Sequence, residues 1–183
     1  MGGGESVFDR FDPEDIILAF FPCTRFECQI QLAFRGKAFQ MKKWTDIQKL
    51  DYSMRLHEEL HHNYMLLSKM VEVVEKKGLR MVIENPYTQP HYLTMYWCID
   101  PTIVDRDRTK NGDYMKKPTQ YFFIGFEPYQ NLVMEPLEEV ERRVCEKICE
   151  GKKRQRIRSE IHPQYASRFI RQYLIDERRK DNE

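Results

Sequence analysis

The sequence predicts an α/β domain with a mostly parallel sheet and flanking helices. Two short apolar runs, at 16–21 and 79–84, are each followed closely by a proline. Continuous apolar runs closed by a turn residue are typical of strands buried on both faces, the kind found in parallel sheets. A long amphipathic stretch separates the two runs, so we expect a crossover helix between two parallel strands.

Length and composition place limits on the class of protein. With 183 residues the chain is long enough for one domain, which we assign to 15–175, between a flexible lead-in at 1–14 and a charged tail at 176–183. A net charge of +1 gives no global attraction for nucleic acid, although basic residues cluster at 152–158. Five cysteines without a C-x-x-C pair, an acidic N-terminal segment and the lack of a run of about 20 apolar residues predict a cytoplasmic chain with reduced thiols.

The first strand, within 15–24, is the segment around which we organise the chain. Pro22 has no N–H for a sheet hydrogen bond, so the strand is expected to end there. Cys23 then lies at the carboxyl end of a buried strand, where open α/β sheets bind ligands. A thiol at this position is either a nucleophile or a small buried residue.

The remaining elements follow from periodicity and from helix-stop and turn residues. Helical spacing covers 26–34 and 44–77. The longer helix is expected to begin at Thr45 or Asp46 and to end at Gly78, and the pattern fits either a continuous helix or one with a single break. Further predicted elements are a strand at 79–84, a short helix at 91–98, a brief strand at 101–105, a strand at 118–126 with a hairpin partner at 132–134, and helices at 137–151 and 163–179.

Cys23 and Glu84 are expected to meet at one edge of the sheet, because each ends one of two parallel strands. A thiolate can add to an electrophilic carbon, while a carboxyl group hydrogen-bonds or protonates a ring nitrogen and so stabilises the resulting charge. The pair therefore predicts nucleophilic chemistry on an electrophilic ring.

Four segments together resemble the C5-cytosine DNA methyltransferases, in particular their small phage and prophage members. The order and spacing of all four agree with that family over roughly residues 15–175. The segments are FPCT at 21–24, ENP at 84–86, KKPTQYFFIG at 116–125 and IHPQYASRFI at 161–170. They resemble, in turn, the family's Pro-Cys motif, Glu-Asn-Val motif, Gln-x-Arg-x-Arg strand and closing Pro-Pro-x-Leu-Ala helix.

The resemblance implies a Rossmann-like catalytic half and a cysteine-adduct reaction on DNA. Cys23 would attack C6 of cytosine, Glu84 would contact N3 and N4 of the flipped base, and S-adenosylmethionine would donate the methyl group to C5. No metal is implied. The residues implied to bind or shape the substrate site are Pro22, Thr24, Asn85, Pro86, Lys116 and Gln120.

The chain departs from that family in two respects. The third motif is Lys116-x-Pro118-x-Gln120 and lacks both arginines, so Arg106, Arg108 or Lys117 are candidate replacements. The family's S-adenosylmethionine-binding half precedes the Pro-Cys strand, where this sequence has fourteen residues. We therefore expect the chain to be the catalytic and C-terminal part of such an enzyme, to need a separate N-terminal half, and not to bind S-adenosylmethionine alone.

Two alternatives belong to other functional classes. The segment HEELH at 57–61 matches the H-E-x-x-H pattern of zinc peptidases, with His57 and His61 as ligands, Glu58 as general base and Glu84 as a conceivable third ligand. Alternatively, the chain is a non-catalytic remnant that binds nucleic acid or a partner through its C-terminal basic segment. The aromatic residues Tyr92, Tyr96 and Trp97 fit either base stacking or the core.

Overall fold

A computed structural model describes residues 6–21, 26, 29–89, 92–143, 157 and 159–176. The chain divides into two compact units. The first comprises Met1–Ile103 with Gln120–Phe126, and the second comprises Val104–Thr119 with Glu127–Glu183. Among the described residues, no helix combines the length and apolar character needed to cross a membrane.

The fold contains both helices and a four-stranded sheet, which confirms the α/β class. In chain order the elements are β1 (Ile16–Phe20), α1 (Gln29–Phe34), α2 (Asp46–Lys76), β2 (Arg80–Pro86), α3 (Leu93–Tyr96), β3 (Ile103–Asp105), β4 (Thr119–Ile124) and α4 (Pro163–Tyr173). Short 3-10 helices lie at Val7–Arg10, Phe39–Met41 and Arg108–Asn111.

The sheet is mixed rather than mostly parallel, so that part of the prediction is wrong. Its strand order is β1-β2-β4-β3, and β1 and β2 are parallel as expected from the crossover. Strand β4 is antiparallel to β2, as two contacts show. Gln120 at the start of β4 bonds Pro86 at the end of β2, and Gly125, just after the end of β4, approaches Leu79, just before the start of β2. A loop-connected strand can return antiparallel without any crossover helix. Most pairings in the sheet are antiparallel for this reason.

Helix α2 forms where the sequence predicts it, and it is continuous rather than broken. Thr45 is the N-cap: its side chain accepts from the Gln48 amide, and the Gln48 side chain accepts from the Thr45 amide. This reciprocal pair satisfies two amides that would otherwise lack partners in the first turn. Gly78 then adopts a φ of +64°, the left-handed conformation that commonly ends helices.

Strand β1 is an edge strand, and the prediction that both of its faces are buried is wrong. Ile17 and Ala19 pack against the core, whereas Leu18 and Phe20 are 43% and 62% exposed. β1 is the last strand in the strand order and therefore pairs with one neighbouring strand, β2. One face of β1 packs against the core, so the side chains on its other face remain exposed.

Two apolar clusters stabilise the first unit. The larger lies between α2 and the sheet and includes Leu67, Val71, Val74, Met81, Ile83, Phe122 and Ile124. The smaller joins α1 to the beginning of α2 through Ala33, Ala38, Met41 and Leu56. Burial of these side chains is the main favourable contribution to the stability of the unit.

In the second unit, residues 127–143 contain no helix or strand. The predicted hairpin at 132–134 and the predicted helix at 137–151 are therefore wrong for the described part of those ranges. Backbone amides of this segment bond to the end of α4 instead: Tyr129 donates to the Tyr173 carbonyl and Asn131 to the Gln172 carbonyl. Since the last carbonyls of a helix have no partner within the helix, they attract these amides.

Candidate active site

The carboxyl ends of β1 and β2 lie at the same edge of the sheet. The parallel register pairs Phe20 with Glu84, the fifth residue of β2. This confirms the predicted alignment of the two strands. Because open α/β sheets bind ligands at the carboxyl ends of parallel strands, this edge is the candidate site.

The predicted nucleophile follows β1 by three residues. Cys23, with its neighbours Pro22 and Thr24, lies outside the described residues, so its distance to Glu84 stays a prediction. Glu84 is half-buried at the end of β2. Its register partner Phe20 is largely exposed, so the face of the sheet that carries these two side chains is open to solvent there.

Asn85 follows Glu84 and is completely buried. Its Oδ1 accepts a hydrogen bond from the Leu93 amide at 3.4 Å. Its Nδ2 is buried and has no hydrogen-bond partner within the described part of the chain. Asn85 therefore holds the beginning of α3 against the end of β2, and its Nδ2 is a donor that the described residues leave unpaired.

A strained turn at Tyr92 connects the segments that follow the two strands. Tyr92 has a φ of +60°, which is rare for a bulky residue and costs on the order of 1–3 kcal/mol. Its amide donates to the Phe26 carbonyl at 2.8 Å, while the next amide, that of Leu93, donates to Asn85. Sequence reasoning missed this turn, because neither a tyrosine nor the residues beside this one indicate a positive φ.

Gln120 is buried and links three elements at the same end of the sheet. Its Nε2 donates to the Pro86 carbonyl at 2.9 Å, and its Oε1 accepts from the Thr94 hydroxyl at 3.1 Å. Both polar ends of the side chain are thus engaged within the protein. Thr94 is a further residue that the sequence did not single out.

The aromatic residues of α3 and its C-cap pack into the core. The Tyr96 ring lies 5.7 Å from the Phe26 ring, and the Trp97 ring lies 4.8 Å from Phe122 in an edge-on arrangement. Of the two interpretations for these aromatic side chains, core packing agrees with the contacts.

Lys116, the other residue implied by the third motif, is exposed and precedes β4. It lies in the second unit, where its charge helps to lower the pKa of Asp107. The main cause of that lowered pKa is the hydrogen bond that the Thr109 side chain donates to the same carboxylate.

The three candidate replacements for the missing arginines have different surroundings. Arg106 is exposed and Lys117 is half-buried. Arg108 is completely buried, forms an ion pair with Asp113 and lies 4.5 Å above the Tyr165 ring. Arg108 is therefore part of the interior of the second unit, and its guanidinium does not reach solvent.

In the HEELH segment of α2 the polar residues are exposed, whereas Leu60 packs against the core. The His57 ring packs 4.1 Å from the Phe34 ring, and its Nδ1 lies 2.8 Å from the Ser53 carbonyl oxygen. Among the described side chains, no group of three or more His, Cys, Asp or Glu residues is arranged to hold a metal ion. His57, His61 and Glu84 thus do not form such a group.

The space beside Gly125 does not fit an S-adenosylmethionine site. Methyltransferases of the resembled family hold this cofactor at a glycine-rich turn after a strand, and Gly125 is the described glycine with positive φ that follows a strand. A Cβ at Gly125 would overlap the Leu79 carbonyl, so the chain's own backbone fills the space beside that glycine.

Comparisons of the chain with protein-family models, with curated proteins and with solved structures found no match.

Proposed function

We propose that the chain is the catalytic part of a cytosine-C5 DNA methyltransferase with a Rossmann-like origin. The observation that carries the proposal is the parallel pairing of β1 with β2, in register at Phe20 and Glu84. Phe20, which precedes Cys23 by three residues in the sequence, therefore lies beside Glu84 at one edge of the sheet, and this supports the proposed pairing of Cys23 with Glu84. Neighbouring strands lie about 4.8 Å apart, a spacing comparable to the width of a pyrimidine ring.

The two side chains have complementary roles in the proposed reaction. The Cys23 thiolate would form a bond to C6 of cytosine, and the π electron pair of the C5–C6 double bond would move to C5 and be delocalised through C4 onto N3. Glu84, as a carboxylic acid, hydrogen-bonds or protonates N3, which stabilises the added negative charge. C5 thereby becomes nucleophilic, the property needed for a methyl group to be accepted there.

The substrate must be a base outside the stack, because the thiolate approaches the face of the ring. Flipping a base costs a few kcal/mol, which contacts to its Watson–Crick edge offset. Glu84 would supply such a contact to N3 and N4. The Nδ2 of Asn85, which has no hydrogen-bond partner among the described residues, is a further candidate contact for the base.

Methylation also requires S-adenosylmethionine, and the space beside Gly125 does not provide a site for it. We therefore propose that a separate N-terminal half supplies the cofactor site. The chain alone is then expected to carry out the reversible thiolate addition but not the methyl transfer.

Hydrogen exchange at C5 tests this division directly. After the thiolate adds to C6, C5 takes a proton from water, and elimination of the thiolate with the original hydrogen restores cytosine. A DNA duplex with tritium at cytosine C5 should therefore release tritium to water when mixed with the chain, without any cofactor. We expect Cys23→Ser to abolish the release and Glu84→Gln to lower its rate by about 100-fold or more.

Cys98 provides the matched control, since it is an exposed free cysteine in another position. Cys98→Ser should release tritium at the wild-type rate. Release no faster than in a protein-free sample would contradict the proposed catalysis, because this exchange needs neither cofactor nor methyl transfer. DNA binding without exchange would favour the binding module instead, and chelator-sensitive peptide hydrolysis would favour the zinc hypothesis.

A further inference from the structure

The aromatic side chain at the end of β1 lies on the same face of the sheet as Glu84. Ile17 and Ala19 of β1 pack against the core, and successive side chains of a strand point to opposite faces, so Phe20 points away from that core. Ile83 of β2 belongs to the core, so Glu84 points away from it as well. Because Phe20 and Glu84 are register partners on parallel neighbouring strands, their side chains lie next to each other.

This pair combines an exposed apolar ring with a hydrogen-bonding group. Phe20 is 62% exposed, and Glu84 is half-buried. An apolar ring in water gains free energy when another flat apolar surface covers it. Nucleobases stack on such rings, and the amino group of cytosine donates hydrogen bonds to carboxyl groups. The pair therefore offers one base a contact for its face and a contact for its edge.

A nucleobase fits the pair better than a purely apolar surface does. An apolar surface laid on Phe20 would also remove water from the neighbouring carboxyl group, which costs free energy unless the covering group donates a hydrogen bond to it. Cytosine has such a donor at N4. The thiolate of the proposed reaction approaches one face of the pyrimidine, so the opposite face remains available to an aromatic ring.

We propose that Phe20 is a base-binding residue whose ring stacks on the flipped cytosine while Glu84 binds the N3–N4 edge. This inference rests on the proposed function and adds the side chain that holds the base by its face. Stacking holds the substrate and the transition state alike. Phe20 therefore contributes to substrate affinity more than to the rate of thiolate addition.

Equilibrium binding to two DNA duplexes tests the stacking contact without requiring any reaction. In one duplex the target cytosine lies opposite an abasic site, so the base leaves the stack at low cost. In the other duplex the target cytosine is itself replaced by an abasic site. We expect the full-length wild-type chain to bind the cytosine duplex about tenfold more tightly or better. Fluorescence anisotropy at one salt concentration measures both dissociation constants.

Three variants assign the difference in binding to the ring. Phe20→Ala should lower the ratio of the two dissociation constants by about fivefold or more, because the stacking surface is lost. Phe20→Trp should retain the wild-type ratio, since an indole ring also stacks on a base. Phe39→Ala is the matched control: Phe39 is an 81% exposed phenylalanine outside the sheet, and its loss should leave the ratio unchanged. Circular dichroism checks that each variant remains folded.

A wild-type chain that binds both duplexes equally, or a Phe20→Ala variant with the wild-type ratio, would overturn the proposal. Tritium release distinguishes this failure from a failure of the proposed function. In that assay Phe20→Ala should raise KM and leave kcat nearly unchanged. A lowered ratio in Phe20→Ala without any tritium release from the wild type would support base binding and contradict the catalysis. Tritium release with an unchanged ratio would support the catalysis and remove Phe20 from it.

Discussion

A buried arginine organises the second unit at the level of single side chains. Arg108 is completely buried, and its Nε and Nη1 have no hydrogen-bond partner within the described residues. Its charge is balanced by Asp113, whose Oδ1 also accepts from the amides of Tyr114 and His162. Removing one member of a buried ion pair leaves an uncompensated charge and costs about 3–5 kcal/mol.

This pair can be tested with a double-mutant cycle. Arg108→Met and Asp113→Asn should each lower the free energy of unfolding by about 3 kcal/mol or more, because each leaves one buried group without its partner. The double variant should be more stable than either single variant, since the amide oxygen introduced at position 113 still accepts from both backbone amides and no charge remains. Urea unfolding of the full-length chain measures the four values. A double variant less stable than both single variants would contradict this assignment.

The burial and the hydrogen-bond partners of single side chains were the features least predictable from the sequence. Arg108 was a candidate replacement for an arginine missing from the third motif, and only the fold shows that it is buried against Asp113. Gln120 was likewise a candidate substrate contact, yet both ends of its amide bond to Pro86 and Thr94. Such pairings depend on which loops come together, and no periodic pattern encodes that.

Two glycines that end neighbouring elements offer a matched comparison. Gly78 follows α2 with a φ of +64° and has open space where a Cβ would lie, whereas Gly125 follows β4 with a φ of +81° and faces the Leu79 carbonyl. Gly78→Ala should cost about 1 kcal/mol for the left-handed backbone alone. Gly125→Ala should cost at least about 3 kcal/mol, because the backbones of β2 and β4 must also separate.

Thermal unfolding of the two alanine variants measures the difference. Circular dichroism at 222 nm, a wavelength chosen for the helices, follows both transitions under the same conditions. Equal destabilisation of the two variants would show that β4 and β2 do not approach as closely as the structure indicates.

Elements were predicted well where one physical rule dominates. Periodicity, the Thr45 cap and Gly78 gave α2 nearly to the residue, and the register of β1 with β2 followed from the crossover. The expected hairpin at 132–134 failed because the last carbonyls of α4 compete for the amides of Tyr129 and Asn131. Tertiary partners outweighed a short apolar pattern there.

At the scale of the whole molecule, the α/β class was predictable but the strand directions were not. The crossover fixes only the β1–β2 pair, and the chain from 87 to 118 carries no periodicity that reveals how β4 returns. The candidate site was predictable to the same extent: the shared edge of β1 and β2 followed from the crossover, while the contacts of Asn85 and Tyr92 did not.

The overall charge leads to a prediction about solubility. With an isoelectric point near 7.6, the chain carries almost no net charge at neutral pH. Near-zero net charge favours non-specific association. We expect solubility to be lowest near pH 7.6 and to rise on either side, where the chain is positively charged below and negatively charged above. Turbidity across a pH series measures this, and a minimum more than about two pH units away would contradict it.

The turn at Tyr92 links two groups of the candidate site, the Phe26 carbonyl and the Asn85 side chain. The consecutive amides of Tyr92 and Leu93 donate to the Phe26 carbonyl and to the Asn85 side chain. A shift of one acceptor would therefore pull on the peptide unit that also bonds the other. A ligand that broke one of these two hydrogen bonds would allow Tyr92 to leave its positive φ, and the second hydrogen bond would weaken as a result. Ligand binding beside one of the two strands would then change the hydrogen bonding beside the other through a single peptide unit.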